Sequence, residues 1–282
     1  MRFEIEHSTC YTYSNAVSLG PQTIRLQPRG DGSQHLLNFE CVIEPTPRLM
    51  TSLMDLEGNI VTRTWFDEPT THLNIKTRFS IETLRRNPFD YFPERHFEQW
   101  PINYSEDLKE HLITYLNTEV PEQKIIELSN ELATIAKFEA LPFLEVVNQY
   151  IYNEIKSEIR ETGSPQSPET TLSKKRGACR DMAVLFMAIC RQQGFACRFV
   201  SGYQARSVPK INERRYLHAW AEVYIPGGGW RGYDQTRGQA VADAHVALAA
   251  ARIPKGATPI SGTFVGTKVQ SQMDVSLKIQ TI

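Results

Sequence analysis

The sequence predicts a two-part fold: a run of strands over residues 1–95, then helices and a second set of strands over residues 96–282. Three observations lead there. Apolar and polar residues alternate through the first part. Apolar residues recur at steps of three and four between about residues 105 and 193. Short runs rich in β-branched and aromatic residues then follow from Phe195 to Asp234.

Phe3, Ile5 and His7 alternate with charged neighbours. Leu37, Phe39, Cys41 and Ile43 do the same, as do Leu73, Ile75, Thr77, Phe79 and Ile81. Asp55-Leu56-Glu57-Gly58-Asn59 interrupts two such runs and reads as a hairpin turn. This pattern describes a meander or sandwich with no catalytic constellation inside it. Residues 87–103, rich in proline and aromatics, read as a linker.

Helical periodicity starts at Ser105-Glu106-Asp107-Leu108 and returns from about Glu122 to Lys137. A third helix begins near Leu141 and ends before Thr162. Its Val146, Val147, Tyr150, Ile151 and Ile155 mark a core face. Ser164-Pro165-Gln166-Ser167-Pro168 is a loop that delivers the chain to Gly177-Ala178-Cys179. From Cys179 a helix fits through Met182, Leu185, Phe186 and Ile189, and Gly194 stops it. Phe195–Tyr203, Leu217–Ile225 and Trp230–Asp234 read as strands.

The chain of 282 residues is 41% hydrophobic, enough for a real core. Its net charge of −1 argues against nucleic-acid or anionic-membrane partners. It contains no apolar run long enough to span a bilayer. Met1-Arg2-Phe3-Glu4-Ile5-Glu6 carries acids where a secretion signal needs apolar residues, so a cytoplasmic location is expected. The five cysteines are widely spaced and include no C-x-x-C. Neither a disulfide framework nor a structural zinc site is expected.

Cys179, His218 and Asp234 are, in order, a thiol, an imidazole and a carboxylate: an attacker, a base and an orienter of the base. Cys179 falls at a helix N-terminus, where exposed N–H groups favour an anion and lower the thiol pKa. Its own N–H is a natural oxyanion donor. Gly177 before it either makes the turn or lets a substrate backbone approach. Cys190 lies about 16 Å further along the same helix and cannot share a metal or a disulfide with Cys179. Cys190 and Cys197 read as buried structural residues.

On the strand Leu217–Ile225, His218, Trp220, Glu222 and Tyr224 share one face, and Ala219, Ala221 and Val223 point to the core. A three-residue loop, Pro226 to Gly228, would pair Ile225 with Gly229 and set Asp234 diagonal to His218. A two-residue loop would turn Asp234 to the opposite face.

These residues resemble the transglutaminase-like superfamily, which shares its cysteine–histidine–aspartate logic with papain-like proteases. The resemblance rests on Gly177-Ala178-Cys179-Arg180-Asp181, Phe199-Val200-Ser201-Gly202-Tyr203, His218-Ala219-Trp220-Ala221-Glu222-Val223 and Gly229-Trp230-Arg231-Gly232-Tyr233-Asp234. It continues in Pro259-Ile260-Ser261-Gly262-Thr263-Phe264-Val265-Gly266. At the start, Tyr11-Thr12-Tyr13-Ser14 and Leu26-Gln27-Pro28-Arg29 look like the β domain of bacterial members.

The resemblance implies an α+β fold: a papain-like core, with the cysteine helix packed on an antiparallel sheet, after an all-β sandwich-like domain. Cys179 would be the nucleophile, His218 the base and acid, and Asp234 the orienter. Arg180, Asp181, Tyr203 and Trp220 are expected to line or back the cleft. Trp220 and Tyr203 could equally be plain packing, and Asp181 a carboxylate serving the helix start.

The implied activity is cysteine-dependent acyl transfer on a peptide or protein amide, most simply hydrolysis by a peptidase or amidase. The alternatives are transamidation to an amine and a peptide-binding scaffold without turnover. No cofactor and no metal are expected, although Cys179, His218 and Asp234 are ligand types. Two departures from the family pattern stand out: Asp234-Gln235-Thr236 replaces Asp-Pro-Thr, and Ala251-Arg252-Ile253-Pro254 replaces Gly-Arg-Asp-Tyr.

Overall fold

The computed structural model describes residues 1–98, 100–116, 122–205 and 216–282, without the side chains of His96 and Glu98. Six strands come first: β1 (Arg2–Leu19), β2 (Gln22–Ile24), β3 (Gln34–Glu44), β4 (Leu49–Met54), β5 (Ile60–Trp65) and β6 (Thr70–Thr83). The expected alternation holds in β1, where Phe3, Ile5 and His7 are buried between more exposed neighbours. The hairpin at Asp55–Asn59 joins β4 to β5. Gly58 takes φ +75 there, and the Asp55 N–H donates to the Asn59 carbonyl at 2.9 Å.

Next come α1 (Glu106–Leu116), α2 (Gln123–Ile135), α3 (Ala140–Glu154), β7 (Lys156–Ser157), α4 (Pro168–Lys174), β8 (Arg176–Gly177) and α5 (Cys179–Gln192). The loop expected at 164–168 ends in α4. Pro168 opens this short helix, and Ser167 Oγ accepts the Thr170 N–H at 3.1 Å. α5 stops where Gly194 takes φ +85.

The second sheet contains β9 (Cys197–Gln204), β10 (His218–Ile225), β11 (Gly229–Asp234), β12 (Gln239–Ala240) and β13 (His245–Ala251). It is antiparallel, in the order β12-β11-β10-β9-β13. One face, with Ala219, Ala221, Val223 and Ile225, packs on Met182, Leu185, Phe186 and Ile189 of α5 and on the other helices. This is the predicted α+β arrangement, with the cysteine helix packed on an antiparallel sheet.

Tyr203 near the end of β9, with Val246 and Leu248 of β13, enters the core of the N-terminal strands. The outer edge of β13 is covered by two side-chain amides from that region. Gln34 exchanges hydrogen bonds with the backbone of Ala247 at 2.7 and 2.9 Å. Asn59 does the same with Ala250 at 2.8 and 2.8 Å. The edge donors and acceptors are thereby satisfied as a neighbouring strand would satisfy them.

The chain ends in β14 (Ile260–Ser261), β15 (Phe264–Val265) and β16 (Ser271–Thr281). All three return to the first region: β14 pairs with β2, and β15 and β16 pair with β1. The division into 1–95 and 96–282 is corrected accordingly, because the last strands complete the N-terminal sheets. Residues 87–98 and 100–103 of the expected linker include a segment docked on the second sheet. The Glu94 N–H donates to the Pro226 carbonyl at 3.0 Å, and Arg231 stacks on Tyr91 at 4.4 Å. Gln99 of that linker lies outside the described residues. Among the described residues no helix is long and apolar enough to cross a membrane.

Candidate active site

Cys179 is the first residue of α5, half-buried at the mouth of a cleft. Asp181 builds the helix start. Its Oδ2 accepts the Ala178 N–H at 2.8 Å, and the Asp181 and Met182 N–H groups return to the Ala178 carbonyl at 2.9 and 3.1 Å. Among the described hydrogen bonds none uses the Cys179 N–H, which stays at the positive end of the helix. Gly177 is buried, and a Cβ there would lie 2.9 Å from the Asp181 Cβ. The structure therefore assigns Gly177 to packing under Asp181 and not to substrate approach.

His218 opens β10 and Asp234 closes β11. Pro226–Gly228 forms the three-residue turn, with Gly227 at φ +84 and Gly229 at φ +69. Ile225 pairs with Gly229 and Ala221 with Tyr233. One step further, Trp220 stands beside Asp234, and His218 is diagonal to the carboxylate. His218 Nε2 donates to Asp234 Oδ2 at 2.8 Å. His218 also faces the Cys179 thiol, and the two groups act on each other's charge. With Nε2 committed to Asp234, Nδ1 is the ring nitrogen left for sulfur.

These contacts set the charges. Burial works to raise the Cys179 thiol, but His218 opposes it through its charge. The Ala219 N–H and Arg180 help, and the net shift is below the ordinary thiol value. Burial works to lower His218, but Asp234 and then Cys179 outweigh it and push the imidazole up to about 10. Burial works to raise Asp234, but His218 and His245 hold it well below the usual carboxylate range. All three shifts act toward a thiolate, an imidazolium and a carboxylate in a row.

Asp234 is wholly buried. Its Oδ1 accepts the Thr236 N–H at 3.0 Å and the Thr236 hydroxyl at 2.7 Å. Gln235, which stands where the family has proline, is buried and donates from Nε2 to the Tyr233 carbonyl at 2.7 Å. The substitution leaves the carboxylate fixed. His245 Nε2 meets the same Oδ2 at 2.9 Å. Sequence reasoning missed His245. The available signal was a lone polar residue opening the apolar run Val246–Ala251.

Ligand-type atoms of His218, Asp234 and His245 lie within 4.8 Å of one another. A tetrahedral ion with bonds of about 2.0 Å would hold its ligands roughly 3.3 Å apart. The observed separations of 2.8 and 2.9 Å are those of two N–H···O bonds to one oxygen.

The remaining expected residues divide. Arg180 borders the cleft and clasps its rim, donating to the Arg160 and Thr162 carbonyls at 2.6 and 2.5 Å. Asp181 is fully buried and does not line the cleft. Besides Ala178 it accepts from Arg160 at 2.5 Å and from the Gln166 backbone at 2.8 Å, tying the rim loop to α5. Tyr203 is corrected: it lies on the opposite face of the sheet, its hydroxyl 2.7 Å from His7 Nδ1 in the N-terminal core. Trp220 backs the cleft and does not line it. It is buried behind the site, its ring centre 6.3 Å from that of His218 and 5.3 Å from that of His245.

The cleft has a volume of about 2030 Å³. One wall is the rim loop from Ser157 to Pro168, another is α5, and a third is the segment Arg252–Ile260. Thr9 and Tyr11 of β1, with Met273 and Val275 of β16, add a wall from the N-terminal sheet. The departure at Arg252-Ile253-Pro254 thus faces the cleft.

Residues 137–235 match the transglutaminase-like superfamily, and residues 3–82 match the bacterial transglutaminase-like N-terminal region. The match to the transglutaminase-like superfamily spans the segment that carries Cys179, His218 and Asp234, and it supports cysteine-dependent amide chemistry in general terms. An uncharacterized protein of Mycobacterium bovis is 25% identical over 289 residues, covering 99% of this chain and 92% of its own. An uncharacterized protein of Mycobacterium leprae is 25% identical over 285 residues, covering 99% and 98%. The "Putative Cysteine Protease" from Cytophaga hutchinsonii shares the fold with a TM-score of 0.73 and 20% identity, over 100% of this chain and 91% of that one.

Proposed function

We propose that this protein hydrolyses an amide bond of a peptide or protein through a thioester on Cys179. The observation that supports the reading is His218, hydrogen-bonded to Asp234 and facing Cys179 at a helix N-terminus in an open cleft. The Cys179 thiolate attacks the carbonyl carbon, and the C=O electron pair moves to oxygen. The Cys179 N–H, at the positive end of α5, stabilises that oxyanion. When the pair returns, the C–N bond breaks, and the leaving nitrogen takes the proton from His218. A water molecule then gives its proton to His218 and attacks the thioester. The acid leaves and the thiolate is restored.

Hydrolysis is preferred over transamidation because the cleft is wide and open along its rim, so water reaches the thioester. The designation of the Cytophaga protein agrees with this choice. The test is mass spectrometry of Cys179 after exposure to a peptide library, with and without a labelled primary amine. Transient acyl adducts that decay to free acids support the proposal. Amine-linked products would replace hydrolysis by transamidation. Tight peptide binding without any adduct would make the cleft a non-catalytic peptide site.

A further inference from the structure

We infer that His245 is a positioning residue for this site, holding the Asp234 carboxylate in the orientation that aims His218 at Cys179. The inference rests on the acyl-transfer reading above. Its first support is an imidazole without another purpose. His245 is buried and opens a strand whose other members, Val246 to Ala251, are all buried and apolar. Its Nδ1 is buried without a partner, so the bond to Asp234 Oδ2 is the ring's one hydrogen bond among the described residues. A buried imidazole costs stability that packing does not recover, and an apolar side chain would fill the space more cheaply.

The second support is how the fold brings the ring there. β13 is separated from β10 by β9, and His245 pairs with Gln204 while Gly202 pairs with both His218 and Ala247. Gly202 is bare, and the Trp220 indole lies over it: a Cβ at Gly202 would sit 2.7 Å from Trp220 Cη2. The indole meets the His245 ring edge-on at 5.3 Å. Behind the ring, the Ala205 N–H donates to the Ala244 carbonyl at 2.8 Å, and Gln34 and Asn59 fasten the far edge of β13. The imidazole is thus held from the side, from the backbone and from the strand edge.

The consequence is geometric. Asp234 receives four hydrogen bonds: two from Thr236 on Oδ1, and His218 and His245 on Oδ2. With both oxygens engaged the carboxylate cannot turn about its Cβ–Cγ bond, and His218 Nε2 has one fixed target. Without the second donor, Oδ2 is anchored only by the imidazole it is meant to orient. The titratable groups meeting here are Cys179, His218, Asp234 and His245, with Arg180 beside the thiol.

The test is the pH profile of Cys179 alkylation by iodoacetamide in the full-length protein, read on the Cys179 peptide by mass spectrometry. Two variants are compared. In His245→Gln the amide nitrogen reaches the place of Nε2; in His245→Asn it stops at the place of Nδ1. Gln is expected to keep the wild-type profile. Asn is expected to slow alkylation near neutral pH about tenfold and move the inflection upward, the size of a lost hydrogen bond to a charged group.

Equal profiles for wild type, Gln and Asn would overturn the inference, as would equal losses in both variants. A wild-type Cys179 that alkylates like an ordinary thiol would overturn the acyl-transfer reading and this inference with it. A further readout needs no variant. Nitrogen NMR of wild type should show the His245 proton on Nε2 near neutral pH, and a proton on Nδ1 alone would overturn the inference.

Discussion

Ile225 pairs with Gly229 across the β10–β11 turn, and this register puts Asp234 and His218 on one face of the sheet. The turn depends on Gly227 twice over. Its φ is +84, and a Cβ there would lie 2.3 Å from the Phe92 carbonyl oxygen in the docked linker. Gly227→Ala is expected to destabilise the protein by about 2 kcal/mol. Because a slip of one residue would turn Asp234 away, alkylation of Cys179 should also slow. Urea unfolding and labelling of the folded protein check both, and an unchanged midpoint would show the turn to be adaptable.

The charges at the site predict a pH window. The Cys179 thiol is held below its ordinary 9.0 by His218, and His218 is raised to about 10. Rapid alkylation should therefore begin below pH 9. In His218→Ala the inflection should move up into the ordinary thiol range, with slower reaction at neutral pH. The folding contribution follows by linkage. The raised His218 adds stability that is full below its unfolded value of about 6.5 and is lost as pH rises through about 10. The depressed Asp234 adds stability present above its usual 3.8 and lost as pH falls below it. The stability gap between wild type and Asp234→Asn should be widest between these limits. A gap that stays constant from pH 6 to beyond 10 would contradict the ion pair.

The residues that were legible in the sequence were those with one buried face. β1 and β10 alternate because one side of each is packed, and the α5 stripe repeats because one side of that helix meets the sheet. Tyr203 was misplaced because every residue of β9 from Cys197 to Tyr203 is buried, so alternation could not say which core each side chain enters. β13 was missed because Ala-rich His245–Ala251 has little β propensity; the strand is stabilised by pairing with β9 and by Gln34 and Asn59. β16 was missed because only Leu277 and Ile279 are buried in it, so its partner β1 is what defines it.

Asp181 ties the cleft rim to the nucleophile's helix. Asp181→Ala would leave the Ala178 and Gln166 N–H groups without their acceptor and free Arg160 from its buried partner. The expected cost is about 3 kcal/mol. The rim loop from Ser157 to Pro168 should become an early target of limited proteolysis, although Arg180 still holds two of its carbonyls and Glu158 stays bonded to Gly177. A variant that resists protease as well as wild type would show that the loop is held without Asp181.

Gly202 is where three strands and one indole share too little room for a side chain. A Cβ would lie 2.2 Å from the Val246 carbonyl oxygen of β13 and 2.7 Å from Trp220 Cη2. The first neighbour is backbone, fixed by the β9–β13 pairing, and cannot yield without parting the strands. The second is the ring packed beside both imidazoles. Gly202→Ala is therefore expected to cost about 3 kcal/mol by overpacking. It should also shift Trp220 against His245 and slow Cys179 alkylation in the molecules that remain folded. Gly32→Ala provides the control, since a Cβ there meets nothing within 4 Å, and its effect should stay within about 0.5 kcal/mol. Equal unfolding midpoints for the two variants would mean that the sheet opens freely at Gly202. The imidazoles would then owe their placement to something other than the indole packed over that glycine.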